Sequence, residues 1–179
     1  MGTGIIVCGL NGCGKSTLGR ALARALGFHF IDSEDLYFPK TNPEYPYASP
    51  RSREEAARLL MDEIAAHEDF ILAAVRGDYG EAILPLFRYA VLLEVPREIR
   101  LARVQERSFQ RFGNRMRPGG DLYEREQAFF RAVGLRTERE VEAWTQRLDC
   151  PVLRADGTRP IAENVEFICA ALTKYIDRQ

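Results

Sequence analysis

Residues 9–17 read GLNGCGKST, preceded by IIVC and followed by LGRALARAL. No other stretch restricts the fold as strongly. Residues 5–8 are apolar and partly β-branched, which predicts a buried strand. From Lys15 onward, Leu18, Ala21, Leu22, Ala25 and Leu26 recur at helical spacing, and Gly27 ends the run. A strand must therefore pass into a helix through a loop with almost no side chains. Glycines there permit unusual backbone angles and let main-chain N–H groups converge on an anion. The helix N-terminus behind them adds a partial positive charge.

Gly9, Gly14, Lys15 and Ser16 fill every fixed position of the phosphate-binding pattern G-x-x-x-x-G-K-[ST]. The pattern gives a nucleoside triphosphate to the backbone of Asn11, Gly12, Cys13 and Gly14. It gives the β- and γ-phosphates to Lys15, Mg²⁺ to the Ser16 hydroxyl and the α-phosphate to Thr17. No NKxD-type guanine reader follows in the second half of the chain, which points to ATP rather than GTP. Lys15, Lys40 and Lys174 are the only lysines among 25 basic residues. In a chain that otherwise uses arginine, a lysine in this loop is not an accident of composition.

The remaining elements alternate. Strands are expected at residues 28–31, 70–75, 89–95 and 151–154. Helices are expected at 52–67, opened by the capping box of Ser52 and Glu55, at 97–112, across 122–148 with a joint at Gly134, and at 161–176. A short helix is expected at 81–87. The last helix carries a stripe of Ile161, Val165, Ile168, Leu172 and either Tyr175 or Ile176. Residues 33–50 hold four prolines and the aromatics Tyr37, Phe38, Tyr45 and Tyr47, so they read as irregular. Residues 113–121, GNRMRPGGD, read as a flexible break. Nearly all-apolar strands alternating with helices predict a parallel sheet covered on both faces, in one α/β domain over residues 1–179.

Composition narrows the function classes. A net charge of −1 supplies no global field for nucleic acid or membrane partners. No apolar run approaches the ~20 residues of a membrane span, and the N-terminus lacks the basic region of a secretory signal. Cys8, Cys13, Cys150 and Cys169 form no CxxC pair or metal-ligand spacing. They read as small apolar fillers in a reducing compartment, so a cytoplasmic location is expected. Cys13, inside the glycine loop, is the one place where oxidation would block the site.

With the loop at its head, this order of elements resembles the P-loop small-molecule kinases, the group of shikimate kinase, gluconate kinase and the nucleoside monophosphate kinases. The resemblance covers essentially the whole chain. It implies a three-layer α/β/α P-loop NTPase fold, a five-stranded parallel sheet in the order 2-3-1-4-5 and a helical lid over about 107–121. It also implies an acceptor-binding segment over about 33–67. Asp32 ends the second strand where shikimate kinase-like members carry D-x-D; here the pair is Asp32 and Glu34. The resemblance gives Asp32 the acceptor hydroxyl and the metal's water shell. The competing reading makes it a cap of the next turn.

Pro50-Arg51-Ser52-Arg53-Glu54 resembles F-R-x-x-E, which implies that Arg51 grips an anionic acceptor, although Pro50 replaces the Phe. Surface charge is the alternative. Arg76 and Asp78 stand where shikimate kinases place a glycine triplet. They are candidates for an anionic acceptor group and for the metal shell, and they argue against shikimate itself. Arg97, Arg100, Arg103, Arg107 and Arg111 recur every three or four residues, so most share a helix face, and Arg115 and Arg117 follow. As a lid, they give Arg107, Arg111 and Arg115 to transition-state charge and Arg103 to stacking on adenine. The alternative is a basic surface for phosphate-rich partners. Gly157, in Asp156-Gly157-Thr158, resembles the loop that holds the adenine edge.

The expectation is an ATP- and Mg²⁺-dependent kinase for a small anionic acceptor, as monomer or homodimer, without nucleic acid or membrane partners. The competing class is an ATP-binding regulator or an ATPase with no small-molecule acceptor.

Overall fold

The computed structural model describes residues 2–176. The side chains of Tyr175 and Ile176, expected on the last helical stripe, lie outside the described residues. Five strands form one parallel sheet: β1 (Gly4–Cys8), β2 (His29–Asp32), β3 (Phe70–Ala73), β4 (Phe87–Glu94) and β5 (Val152–Asp156). Their order is β2-β3-β1-β4-β5, as the resemblance implied. Successive strand side chains point to opposite faces, and β1 shows the consequence. Ile6 and Cys8 join Leu72, Ala90 and Leu92 in one core, while Ile5 and Val7 join Ile71, Val91 and Leu93 in the other.

Helices cover both cores. The first is closed by Leu60 of α3 (Arg53–Ala66) and by Trp144 and Val141 of α6 (Glu138–Thr145). The second is closed by Leu18 and Leu22 of α1 (Lys15–Leu26) and by Ile168 and Leu172 of α7 (Ile161–Ile176). Among the described residues, no helix is long and apolar enough to cross a membrane. All four cysteines are free; Cys8 and Cys13 are buried, and desolvation pushes the Cys8 thiol up to about 12.

Three expectations change. A five-residue helix, α2 (Ser33–Tyr37), begins where an irregular segment was expected, with the Asp32 carboxylate capping it. The 122–148 helix divides into α5 (Tyr123–Leu135) and α6, and the break falls at Arg136 and Thr137 rather than at Gly134. Gly134 stays inside α5, its carbonyl accepting from Arg97 of α4 (Arg97–Phe112). Residues 113–121 are hydrogen-bonded rather than open. A 3₁₀ turn spans Gly113–Met116, Leu122 N–H donates to the Arg115 carbonyl at 2.9 Å, and Arg115 forks onto Asp121.

The capping box read from Ser52 and Glu55 is present with both bonds, at 3.1 and 2.8 Å. Ser52→Ala removes one of them and leaves a first-turn N–H without its partner. The substitution is expected to lower the unfolding free energy by about 1 kcal/mol, measured as a lower urea midpoint at unchanged slope.

Candidate active site

The phosphate loop leaves the carboxyl end of β1, at the centre of the sheet. The first backbone bond of α1 is Leu18 N–H to the Gly14 carbonyl, at 3.0 Å. The N–H groups of Lys15, Ser16 and Thr17 precede it and have no intrahelical acceptor, which leaves them for an anion. Gly12 and Gly14 hold φ of 83° and 99°. A Cβ on Gly12 would also meet the Arg100 carbonyl at 2.3 Å, so both conformation and space require glycine there.

Arg100 is only 2% exposed. It donates to the Asn11 carbonyl at 3.2 Å and to Glu138 at 3.1 Å, tying the loop to α4 and α6. The sequence placed Arg100 in an arginine series with few acidic partners; the tertiary fold supplies one from 38 residues downstream. Arg103, one turn on, donates to the Gly157 carbonyl at 3.1 Å and approaches the Gly12 carbonyl at 3.5 Å. Gly157 packs so closely that a Cβ would meet the Cys13 carbonyl at 2.8 Å. A cavity of about 430 Å³ opens on this side, lined by Gly14, Thr17, Arg103, Gly157 and Asn164.

On the other side of the loop lies a cleft of about 540 Å³. Asn11, Gly12, Lys15, Ser16, Asp32 and Arg107 face it, as do Glu34, Arg76 and Asp78. Lys15 Nζ donates to the Leu10 carbonyl at 3.0 Å, holding the ammonium group over the loop. Asp32 fits both readings of the sequence. Oδ1 accepts from Glu34 N–H at 3.0 Å as a helix cap, Oδ2 lies 3.5 Å from Arg20, and the side chain still lines the cleft. Arg76 pairs with Asp78 at 3.0 Å, and Arg147 lies 3.7 Å from the same carboxylate.

Adjoining the cleft is an aromatic cavity of about 190 Å³, walled by Phe38, Tyr45, Tyr47, Phe112 and Phe129 with Arg107, Arg111 and Glu126. Tyr45, Phe112 and Leu122 form a small core of their own. The aromatics of the proline-rich segment are thus both local core and cavity wall. Tyr47 OH donates to Glu34 at 2.9 Å and accepts from Arg111 at 2.5 Å. Tyr45 OH donates to Glu126 Oε1 at 3.0 Å, while the buried Oε2 has no partner among the described residues.

Two candidates line neither the cleft nor the two cavities beside it. Arg51 donates to the carbonyls of Asp35 and Leu36, at 3.1 and 2.8 Å, closing the C-terminal end of α2. Arg115 is held by Asp121 and by the Glu44 carbonyl at 2.8 Å, because an acid six residues on and a free carbonyl both meet its fork. The sequence reading missed Arg136. It lines the cleft and donates to the Asn11 side chain at 2.5 Å. Its position just past a helix carries no local signal, and only the turn between α5 and α6 points it inward.

Phosphate loop and sheet order are those of the P-loop small-molecule kinases. The chain belongs to the AAA domain family, whose model matches residues 5–115. It is 30% identical over 172 residues to the uncharacterized protein YqaC of Bacillus subtilis (strain 168), covering 92% of this chain and 94% of that one. A shikimate kinase of Halorhodospira halophila is 31% identical over 112 residues, covering 56% of this chain and 62% of its own length. In fold, a gluconokinase from Sinorhizobium meliloti 1021 superposes with a TM-score of 0.59 at 18% identity, covering 99% of this chain and 94% of its own.

Burial and the Glu34 carboxylate push the Tyr47 phenol up to about 12, and burial with Glu126 pushes Tyr45 up as well. An unfolded tyrosine ionises near pH 10. Above that pH the unfolded chain loses phenol protons that the folded chain keeps, so stability present below about pH 10 is lost as pH rises toward 12. Tyr47→Phe is expected to be less stable near pH 8, having lost two hydrogen bonds, and to lose less stability than wild type between pH 10 and 12. Urea titrations across that range measure both effects.

Proposed function

We propose that the chain is an ATP- and Mg²⁺-dependent kinase that passes a phosphoryl group to a small anionic acceptor. One observation carries the reading: a single cleft brings the phosphate loop, Asp32, Arg107 and Arg136 to face a polar wall of Glu34, Arg76 and Asp78. A nucleotide-binding switch needs the loop, but not a second lined volume beside it. The relatives named shikimate kinase and gluconokinase support a small-molecule acceptor.

The residues present fit the nucleotide. Unpaired backbone donors, Lys15 and Ser16 meet the phosphates, and the cavity between Arg103 and Gly157 takes the nucleoside. Ser16 and Asp32 would hold Mg²⁺. Bound Mg-ATP supplies the transferable γ-phosphoryl group, whose displacement needs attacking and leaving oxygens in line. The chain supplies positioning and charge. Lys15 and Arg107 offset charge on the phosphates, and Arg111 does so from the mouth of the aromatic cavity. Asp32 orients the acceptor hydroxyl and takes its proton late. Arg76, held by Asp78, faces an anionic group of the acceptor. Arg51 and Arg115 act at one remove, fixing α2 and the 113–121 turn. That turn and the C-terminal half of α4 form the lid, which keeps water from the transferring group.

The test is ADP release from Mg-ATP against a panel of hydroxy acids, sugars, nucleosides and nucleotides, with a blank lacking acceptor. Release that depends on one acceptor class is expected; equal release in the blank assigns an ATPase and sinks the proposal. Lys15→Ala is expected to lower turnover about a hundredfold or more at an unchanged unfolding midpoint. Asp32→Asn separates the two roles of that residue. Asn still caps α2, so the fold holds, while loss of the charge is expected to lower kcat.

A further inference from the structure

Both histidines of the chain meet at one place, and the proposed kinase chemistry uses neither. His29 opens β2, an edge strand, while Asp32 at the other end of the same strand faces the cleft. Three residue steps along the strand set them about 10 Å apart. His67 is the C-cap of α3, and Glu63 lies one turn before it on the same helix face. Nε2 of His29 is 2.8 Å from Glu63 Oε2. The two imidazole rings stack with centroids 3.6 Å apart and planes 10° from parallel. One nitrogen or carboxylate oxygen from each of the three residues lies within 4.8 Å of the others. The His67 backbone N–H donates to the Ile64 carbonyl, but its ring makes no hydrogen bond or ion pair among the described residues, so both ring nitrogens are open to a ligand.

From this cluster we infer a binding site for a divalent transition metal of the zinc class, held by His29, Glu63 and His67. Imidazole nitrogen and carboxylate oxygen are ligands such ions select, at about 2.0–2.2 Å, with a fourth position left to water. Mg²⁺ prefers an octahedron of oxygens, so this site and the cleft do not compete for one ion. Stacked rings keep their lone pairs in parallel planes, so one ring must turn to bring its nitrogen onto the metal. His67 can do so: its backbone has left the helix, with φ −136° and ψ 106°, and histidine χ2 rotates in a broad well. Coordination replaces the His29–Glu63 hydrogen bond and ties the edge strand to the end of α3. The first residue of α3, Arg53, donates to the Asp78 carbonyl at 2.8 Å, so the tied helix also touches the cleft wall.

The test uses the full chain without an affinity tag or nucleotide, titrated with Zn²⁺ alone in a calorimeter. One saturable equivalent and a raised thermal midpoint are expected. Removing an outer partner of a metal ligand typically weakens binding 10–100-fold. His67→Ala and Glu63→Gln remove direct ligands, so each is expected to weaken Zn²⁺ binding by at least about tenfold and to abolish the midpoint shift. Unchanged metal-free midpoints show that the variants fold. Co²⁺ in place of Zn²⁺ is expected to give visible absorption without a thiolate charge-transfer band. Absence of saturable binding, variants that titrate like wild type, or a thiolate band placing the metal on cysteine would each overturn the site.

Discussion

The Arg100 guanidinium is buried against the phosphate loop, donating to the Asn11 carbonyl and to Glu138. Its own carbonyl oxygen lies 2.3 Å from where a Cβ of Gly12 would be. A buried arginine is tolerated only when its charge is met, and here loop and helix take its two terminal nitrogens jointly, while Nε has no partner among the described residues. The loop backbone is therefore fixed by side chains and carbonyls of α4 as much as by its own glycines. Whatever the loop holds is held against α4.

That contact sets the use of the rest of the arginine stripe. From Arg100 to Arg111 the helix rises about 16 Å, and its basic face runs past the loop into the neighbouring volumes. Arg103 bridges Gly12 and Gly157, Arg107 enters the cleft, and Arg111 reaches Tyr47. At its far end, Phe112 packs on Tyr45 of the proline-rich segment. One helix thus touches the loop, the cleft and the aromatic cavity. A shift of α4 would move all three together.

The long helices were legible wherever an apolar stripe met a cap or a stop. α1 ends at Gly27 and α3 begins at Ser52, as read from the residues. The short α2 was not legible, because its stabilisation is distant in sequence: Arg51, 15 residues beyond Leu36, binds its last carbonyls. Arg115 looked like a free lid cation because a flexible reading of 113–121 ignored Asp121, which matches its fork at 2.6 Å. Asp32 was legible as a candidate because a carboxylate at the end of a strand beside the loop lies in the crevice of a parallel sheet. The competing reading, a cap of the next turn, was legible too, and the structure shows the cap and the cleft position together.

By itself the sequence determined the loop and its chemistry. Glycine spacing, one lysine and the strand-to-helix transition are local, and they set which backbone conformations the loop can adopt. It also determined two apolar layers, because alternation along β1 assigns neighbouring side chains to opposite faces. Only the tertiary structure decided which polar residues meet, beside the loop and away from it. Arg100, Arg136, Glu126 and the His29–Glu63–His67 cluster are each brought into place by partners tens of residues away. The physical reason is range: a cap or a stripe acts within a few turns of one element, whereas a buried charge finds its partner only when the sheet has brought separate elements together.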